Sequence, residues 1–121
     1  MTKKDIAITF LKMISDGNID KAYEKYVHVD FIHHNAYYKG DRETLKRAMK
    51  EKAIQFPEKK YEALRVLEDG ELVAVHAKVT GVFETDWAVI HIFRFAEDKI
   101  IEEWDSTQDT PKDSPNENGI F

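Results

Sequence analysis

The spacing of apolar residues changes once along this chain, at Lys60, and that switch restricts the folds open to it. Before it, apolar positions recur at helical intervals: Ile6, Phe10, Leu11 and Ile14 form one stripe, broken by Asp16-Gly17-Asn18. Asn18 or Asp20 can cap a second helix that buries Ile19, Ala22, Tyr23, Tyr26 and Val27. Asp30 to Tyr38 reads as an irregular or short extended piece. Gly40-Asp41 then opens a third helix through Leu45, Ala48, Met49 and Phe56, and Pro57 stops it. Beyond Lys60 the pattern alternates. Tyr61 to Leu67, Leu72 to Thr80, Trp87 to Phe95 and Ile100 to Ser106 read as antiparallel strands, with Asp69-Gly70 as the strongest hairpin signal. Helices grouped ahead of strands predict an α+β domain whose helices cover one face of a curved sheet. With 121 residues the chain is long enough for one domain, 1–121, and too short for two. Residues from about 106 to 121 form a polar tail with an apolar tip, Ile120-Phe121, which either frays or docks on a pocket mouth or partner subunit.

His91 stands inside the apolar run Trp87-Ala88-Val89-Ile90-His91-Ile92-Phe93. A buried imidazole needs a partner, because an unsatisfied polar group costs on the order of 1 to 3 kcal/mol. Residues of one parity share a face, so Trp87, Val89, His91, Phe93 and Phe95 point one way and Ala88, Ile90, Ile92 and Arg94 the other. Both faces are largely apolar, which predicts cover on both sides. A three-residue connection, Glu97-Asp98-Lys99, sets Asp105 on the His91 face and Arg94 across from Glu102. A two-residue turn would separate His91 from Asp105. The same register turns Glu103 toward His91, so either the strand bulges there or a second carboxylate lines the pocket. His76 shares parity with Leu72, Ala74 and Lys78 and is read as lying on the outer sheet face.

Charge and composition remove several functions. A formal net charge of −5 disfavours nucleic acid and anionic membrane as partners, since both bind through basic clusters. The basic run Lys46, Arg47, Lys50 and Lys52 alternates with Glu43 and Glu51 and reads as a solvated helix face. There is no cysteine, which excludes thiolate metal sites and thiol nucleophiles. No apolar stretch approaches the roughly 20 residues that span a bilayer, and the opening Met1-Thr2-Lys3-Lys4-Asp5 leads into no signal region, so a cytoplasmic location is expected.

Several segments together resemble the SnoaL-like polyketide cyclase family of the nuclear transport factor 2-like superfamily. They are the three N-terminal helices, Phe31-Ile32-His33-His34-Asn35 before Gly40-Asp41-Arg42, Phe93-Arg94 with the turn into Lys99-Ile100-Ile101-Glu102-Glu103-Trp104-Asp105, and Asn118-Gly119-Ile120-Phe121. The resemblance implies a cone whose sheet wraps a deep pocket, a homodimer, and cofactor-free acid/base chemistry on a carbonyl-containing small molecule, as in aldol ring closure. It matches Asp105 to the family's catalytic carboxylate, His91 to a pocket histidine, and His34-Asn35 to an element near the pocket opening. Glu103 stands where relatives often carry histidine, and Glu97-Asp98 where they often carry Asp-Gly.

Aldol chemistry needs a base beside a carbonyl, a donor for the oxyanion, and exclusion of water. The candidates are Asp105 as general acid/base, His91 as its partner or the oxyanion donor, and His34 with Asn35 as the substrate-polarising pair. His33, Trp87, Phe93, Tyr38, Glu103 and Trp104 are the further candidates for substrate contact, although adjacent residues of an extended segment face opposite ways, so only one of His33 and His34 is expected in the pocket. His34, His91 and Asp105 are also ligand types for an open metal site. No tight ligand spacing accompanies them, and neither metal nor cofactor is expected. A rival account makes the cone a ligand-binding or dimerisation module, with His91 and Asp105 as a structural pair.

Overall fold

Thr2 and Asp5 close a reciprocal capping box at the start of α1 (Lys3–Ser15), each side chain accepting from the other's backbone N–H at 3.1 and 3.0 Å. In the computed structural model, which describes residues 1–121, α2 (Ile19–Tyr26) follows at once, then β1 (Val27–His33) and α3 (Arg42–Gln55). Asp41 caps α3 by accepting from the Thr44 N–H at 3.1 Å. Four strands complete the chain: β2 (Lys60–Asp69), β3 (Leu72–Thr80), β4 (Trp87–Ala96) and β5 (Lys99–Asp109). The period switch at Lys60 thus marks the first residue of β2.

The sheet runs β1-β5-β4-β3-β2. Strands β2 to β5 are antiparallel, but β1 lies parallel to β5, so the sheet is mixed rather than wholly antiparallel. Residues 30–33, expected to be irregular or only briefly extended, belong to that added edge strand. Strand β5 also runs to Asp109, three residues past the expected boundary, because its pairing with β4 continues to Trp87↔Asp109.

The β4–β5 hairpin departs from expectation in its turn yet keeps the expected register. Ala96 pairs with Lys99, which leaves a two-residue turn, Glu97-Asp98, with Glu97 at φ 58°. The count is corrected one step later, where a β-bulge between Phe95↔Ile100 and Arg94↔Glu102 absorbs Ile101. His91 therefore still faces Asp105, and Arg94 still faces Glu102.

Phe10 of α1 and Tyr23 of α2 pack edge-on over the concave face, Phe10 also meeting Phe93 edge-on at 5.9 Å. Val73, Val75, Ala77, Phe95 and Ile100 complete this core from the sheet. Curvature is visible in one contact: the Tyr61 ring on β2 lies 5.8 Å from the His91 ring on β4. With β3 between them and Tyr61 aligned with Trp87 through Val79, a flat sheet would hold their Cα atoms on the order of 15 Å apart. The curl opens the hollow described below.

The opposite, convex face is only partly covered by this chain, against the expectation of cover on both sides. Ile90 is 47% exposed and Leu72 40%, beside half-buried His76 and Ile92. His76 lies there as expected, its Nδ1 2.9 Å from Arg65 Nη1. The apolar tip of the tail does not line the cavity: Phe121 lies under the Lys78 ammonium, 5.0 Å from its ring centre. No helix is long and apolar enough to cross a membrane.

Candidate active site

Parity along β4 and β5 puts Trp87, Val89 and His91 with Glu103 and Asp105 on the wall of a cavity of about 720 Å³. The loop after β1 supplies Asn35 and Tyr38 to the same wall, and α1, α2 and α3 roof it with Phe10, Tyr23 and Leu45. Exposed Tyr37 and Phe83 stand at its rim.

The imidazole of His91 finds its partner in Glu103. Nδ1 lies 2.8 Å from Glu103 Oε1, and both side chains are largely withdrawn from solvent. With the Glu103 carboxylate accepting from Nδ1–H, the free lone pair falls on Nε2. His91 stacks at 6° and 5.6 Å on Phe93, which fixes the ring plane. Of the two alternatives open for Glu103, the second holds: it is a pocket carboxylate, 6% exposed.

Asp105 is held from the other side. Asn35 Nδ2 donates to both of its carboxylate oxygens, at 3.1 and 3.3 Å. Asn35 is itself fixed by donating its N–H to His33 Nδ1 at 3.1 Å and accepting from Tyr37 N–H at 3.0 Å. His33, with Nδ1 thus an acceptor, donates Nε2–H to the Lys39 carbonyl at 2.7 Å. His33 is buried and outside the cavity, against its expected substrate contact, and touches the site only through the Asn35 N–H.

Besides His33, two expected site residues lie outside the cavity. Phe93 is fully buried in the core beneath His91. Trp104, of opposite parity to Glu103 and Asp105, lies on the other face of β5, where His34 stacks on it at 5.1 Å and 5°. His34 reaches the cavity rim, but its Nε2 is 2.7 Å from Glu102 Oε2 on that outer face, away from Asp105. His34 and Asn35 therefore have different partners, Glu102 and Asp105.

Glu102 also accepts from Arg94 Nε at 2.8 Å. The His34 hydrogen bond, then that of Arg94, holds its carboxyl below the ordinary value of 4.5. A depressed carboxyl contributes stability above its unfolded value and loses it as pH falls through the folded one. Glu102→Gln is accordingly expected to flatten the acid side of the stability profile, so that urea midpoints at pH 7 and pH 3 differ less than in the wild type.

The candidates read from the sequence did not include Tyr61, Lys52 or Lys59, all of which line the cavity, and Tyr23, read as a buried residue of α2, lines it too. The Tyr61 hydroxyl is buried with no hydrogen-bond partner. Burial, followed by the charge of Glu103, pushes both phenols far above their usual range, so they stay protonated donors. Lys52, read as part of a solvated face, is the exception in that run: Lys46 and Lys50 reach Asp20 outside the cavity.

Donor atoms of His91, Glu103 and Asp105 all fall within 4.8 Å of one another, a set that could hold a divalent ion. Coordination through Nδ1 would have to displace the 2.8 Å bond between His91 and Glu103. As arranged, Glu103 is paired with His91 and Asp105 with Asn35.

Residues 7–103 match the SnoaL-like domain family. The chain belongs to this family. Solved structures agree in fold. A candidate polyketide cyclase from Acidithiobacillus ferrooxidans superposes with a TM-score of 0.74 at 19% identity, over 88% of this chain and 89% of its own. Wild-type IdmH from Streptomyces antibioticus, also a candidate polyketide cyclase, gives 0.73 at 16% identity, over 89% and 93%. An NTF-2 like protein of unknown function from Burkholderia xenovorans gives 0.74 at 15%, over 93% and 87%. No curated protein matches the sequence. These neighbours share the α+β fold described above.

Proposed function

We propose that this SnoaL-like protein is a cofactor-independent acid/base enzyme that moves a proton next to a carbonyl of a small molecule, for aldol ring closure or isomerisation. One observation carries the reading: a carboxylate, Asp105, stands on the wall of an apolar cavity, oriented by Asn35 and beside a Glu103-anchored imidazole. Asp105 takes the proton from the carbon next to the carbonyl, and the electron pair of that C–H bond becomes the enolate. In ring closure the enolate carbon bonds to a second carbonyl carbon of the same molecule, whose oxygen takes up the proton that Asp105 holds. No net proton is gained or lost. Tyr61, a buried unpartnered hydroxyl beside His91, is the donor suited to the enolate oxygen. Asn35 acts through Asp105, and His34 has no step.

Acetophenone, whose methyl protons are weakly acidic, tests this without knowledge of the natural substrate. Proton NMR in deuterium oxide is expected to show exchange of those protons above the buffer rate. Exchange no faster than buffer, with the ketone bound, would leave the rival account, a binding module. That account is favoured by one feature, since the His91–Glu103 pair is satisfied without any ligand.

The convex face fits the second part of the reading, a homodimer. Ile90 and Leu72 leave apolar area in water on β3 and β4, which a second copy would bury. Sedimentation at micromolar concentration is expected to give a species of twice the 14.1 kDa chain mass, and a purely monomeric profile would remove the dimer.

A further inference from the structure

We infer that the cavity takes an anionic substrate, a carbonyl compound whose carboxylate or phosphate is held by Lys52 and Lys59 while its reacting carbon lies against Asp105. The inference rests on the cavity being a substrate site and adds the class of molecule that enters it.

Lys52 comes from the last turn of α3, and Lys59 directly precedes β2. Both line the cavity, as do Phe56, Tyr61 and Phe83. Neither ammonium has a carboxylate within salt-bridge distance, although Lys12, Lys46, Lys50 and Lys78 all do. Lys52 instead lies 5.8 Å from the Phe56 ring centre. Lys59 has no side-chain hydrogen bond; its backbone carbonyl accepts from Ser15 Oγ. Two like charges with no counter-ion, both on half-buried side chains, are a standing electrostatic cost. Burial first, and Lys52 second, depress the Lys59 ammonium.

The acids of the cavity do not relieve that cost. Glu103 is engaged by His91 and Asp105 by Asn35. The hollow is therefore divided by charge, with ammonium groups on the α3–β2 wall and carboxylates on β5. A neutral ligand would desolvate the lysines without compensating them. An anionic one neutralises them, and is also oriented, because the reverse pose would set its charge against Glu103 and Asp105. Orientation of this kind brings the neutral, proton-bearing end to the base.

Three probes of one shape separate the outcomes: 4-acetylbenzoate, 4-acetylphenyl phosphate and methyl 4-acetylbenzoate, titrated calorimetrically into the wild-type protein. At least one anion is expected to bind about tenfold more tightly than the ester, as charge-assisted contacts to lysine imply, and the tighter anion names the group. Added salt should narrow the gap. The Lys52→Gln/Lys59→Gln double variant should abolish it, and Lys52→Arg/Lys59→Arg should keep it. The inference is overturned if the ester binds as well as both anions, if the glutamine variant keeps the preference, or if none of the three binds at millimolar concentration. The wild-type comparison decides even if the variants fold poorly. Deuterium exchange on the same ketones keeps the two readings apart: anion preference without exchange removes the acid/base chemistry alone, and exchange without preference removes this inference alone.

Discussion

Asp105→Asn is expected to slow deuterium exchange into the ketone by about 10² to 10⁴, the usual contribution of a positioned general base. The substitution keeps the shape of the side chain and can still accept from Asn35 Nδ2, so the loop after β1 stays in place. It removes only the ability to take a proton. Asp105 is partly exposed on the cavity wall and supports no core packing, so the melting temperature should move little. Ligand affinity should also hold, placing the loss in the rate of the chemical step rather than in binding. An unchanged exchange rate would take Asp105 out of the mechanism and pass the base to Nε2 of His91, the one ring nitrogen that Glu103 leaves free.

Much of this arrangement is legible before any coordinates, and its limits have physical causes. The switch of period at Lys60 fixes helices ahead of strands, and the resemblance agrees with the family match and the curled α+β sheet. Parity placed His91, Glu103 and Asp105 on one face, and the requirement that a buried imidazole be paired was met. Parity could not choose between the two carboxylates, because both share the face and the choice rests on side-chain reach. Turn length alone does not decide the register, because a two-residue turn plus a bulge at Ile101 reproduces that of a three-residue connection. Trp104 was assigned to the cavity although its parity put it opposite Asp105. Lys59 and Tyr61 carried no local signal at all: what makes them cavity residues is the curl that brings the start of β2 toward β4, a property of the whole sheet.

Phe93→Ala separates a wall residue from a core residue, and the expected loss is about 3 to 5 kcal/mol of folding stability. Phe93 is fully buried, meets Phe10 edge-on and lies flat beneath His91, so truncation empties the space between α1 and β4 as well as the platform under the imidazole. Against a total of roughly 5 to 15 kcal/mol for a domain, such a loss consumes much of the margin. Phe93→Leu, which keeps most of the volume, should cost about 1 to 2 kcal/mol and retain exchange activity. Urea denaturation of both variants checks the order. Had Phe93 been a substrate-contacting wall, as its parity with His91 first implied, truncation would enlarge the cavity, weaken ligand binding and leave the denaturation midpoint nearly unmoved. A midpoint for Phe93→Ala within error of the wild type would therefore return Phe93 to the cavity and leave the stacked geometry of His91 without a structural cause.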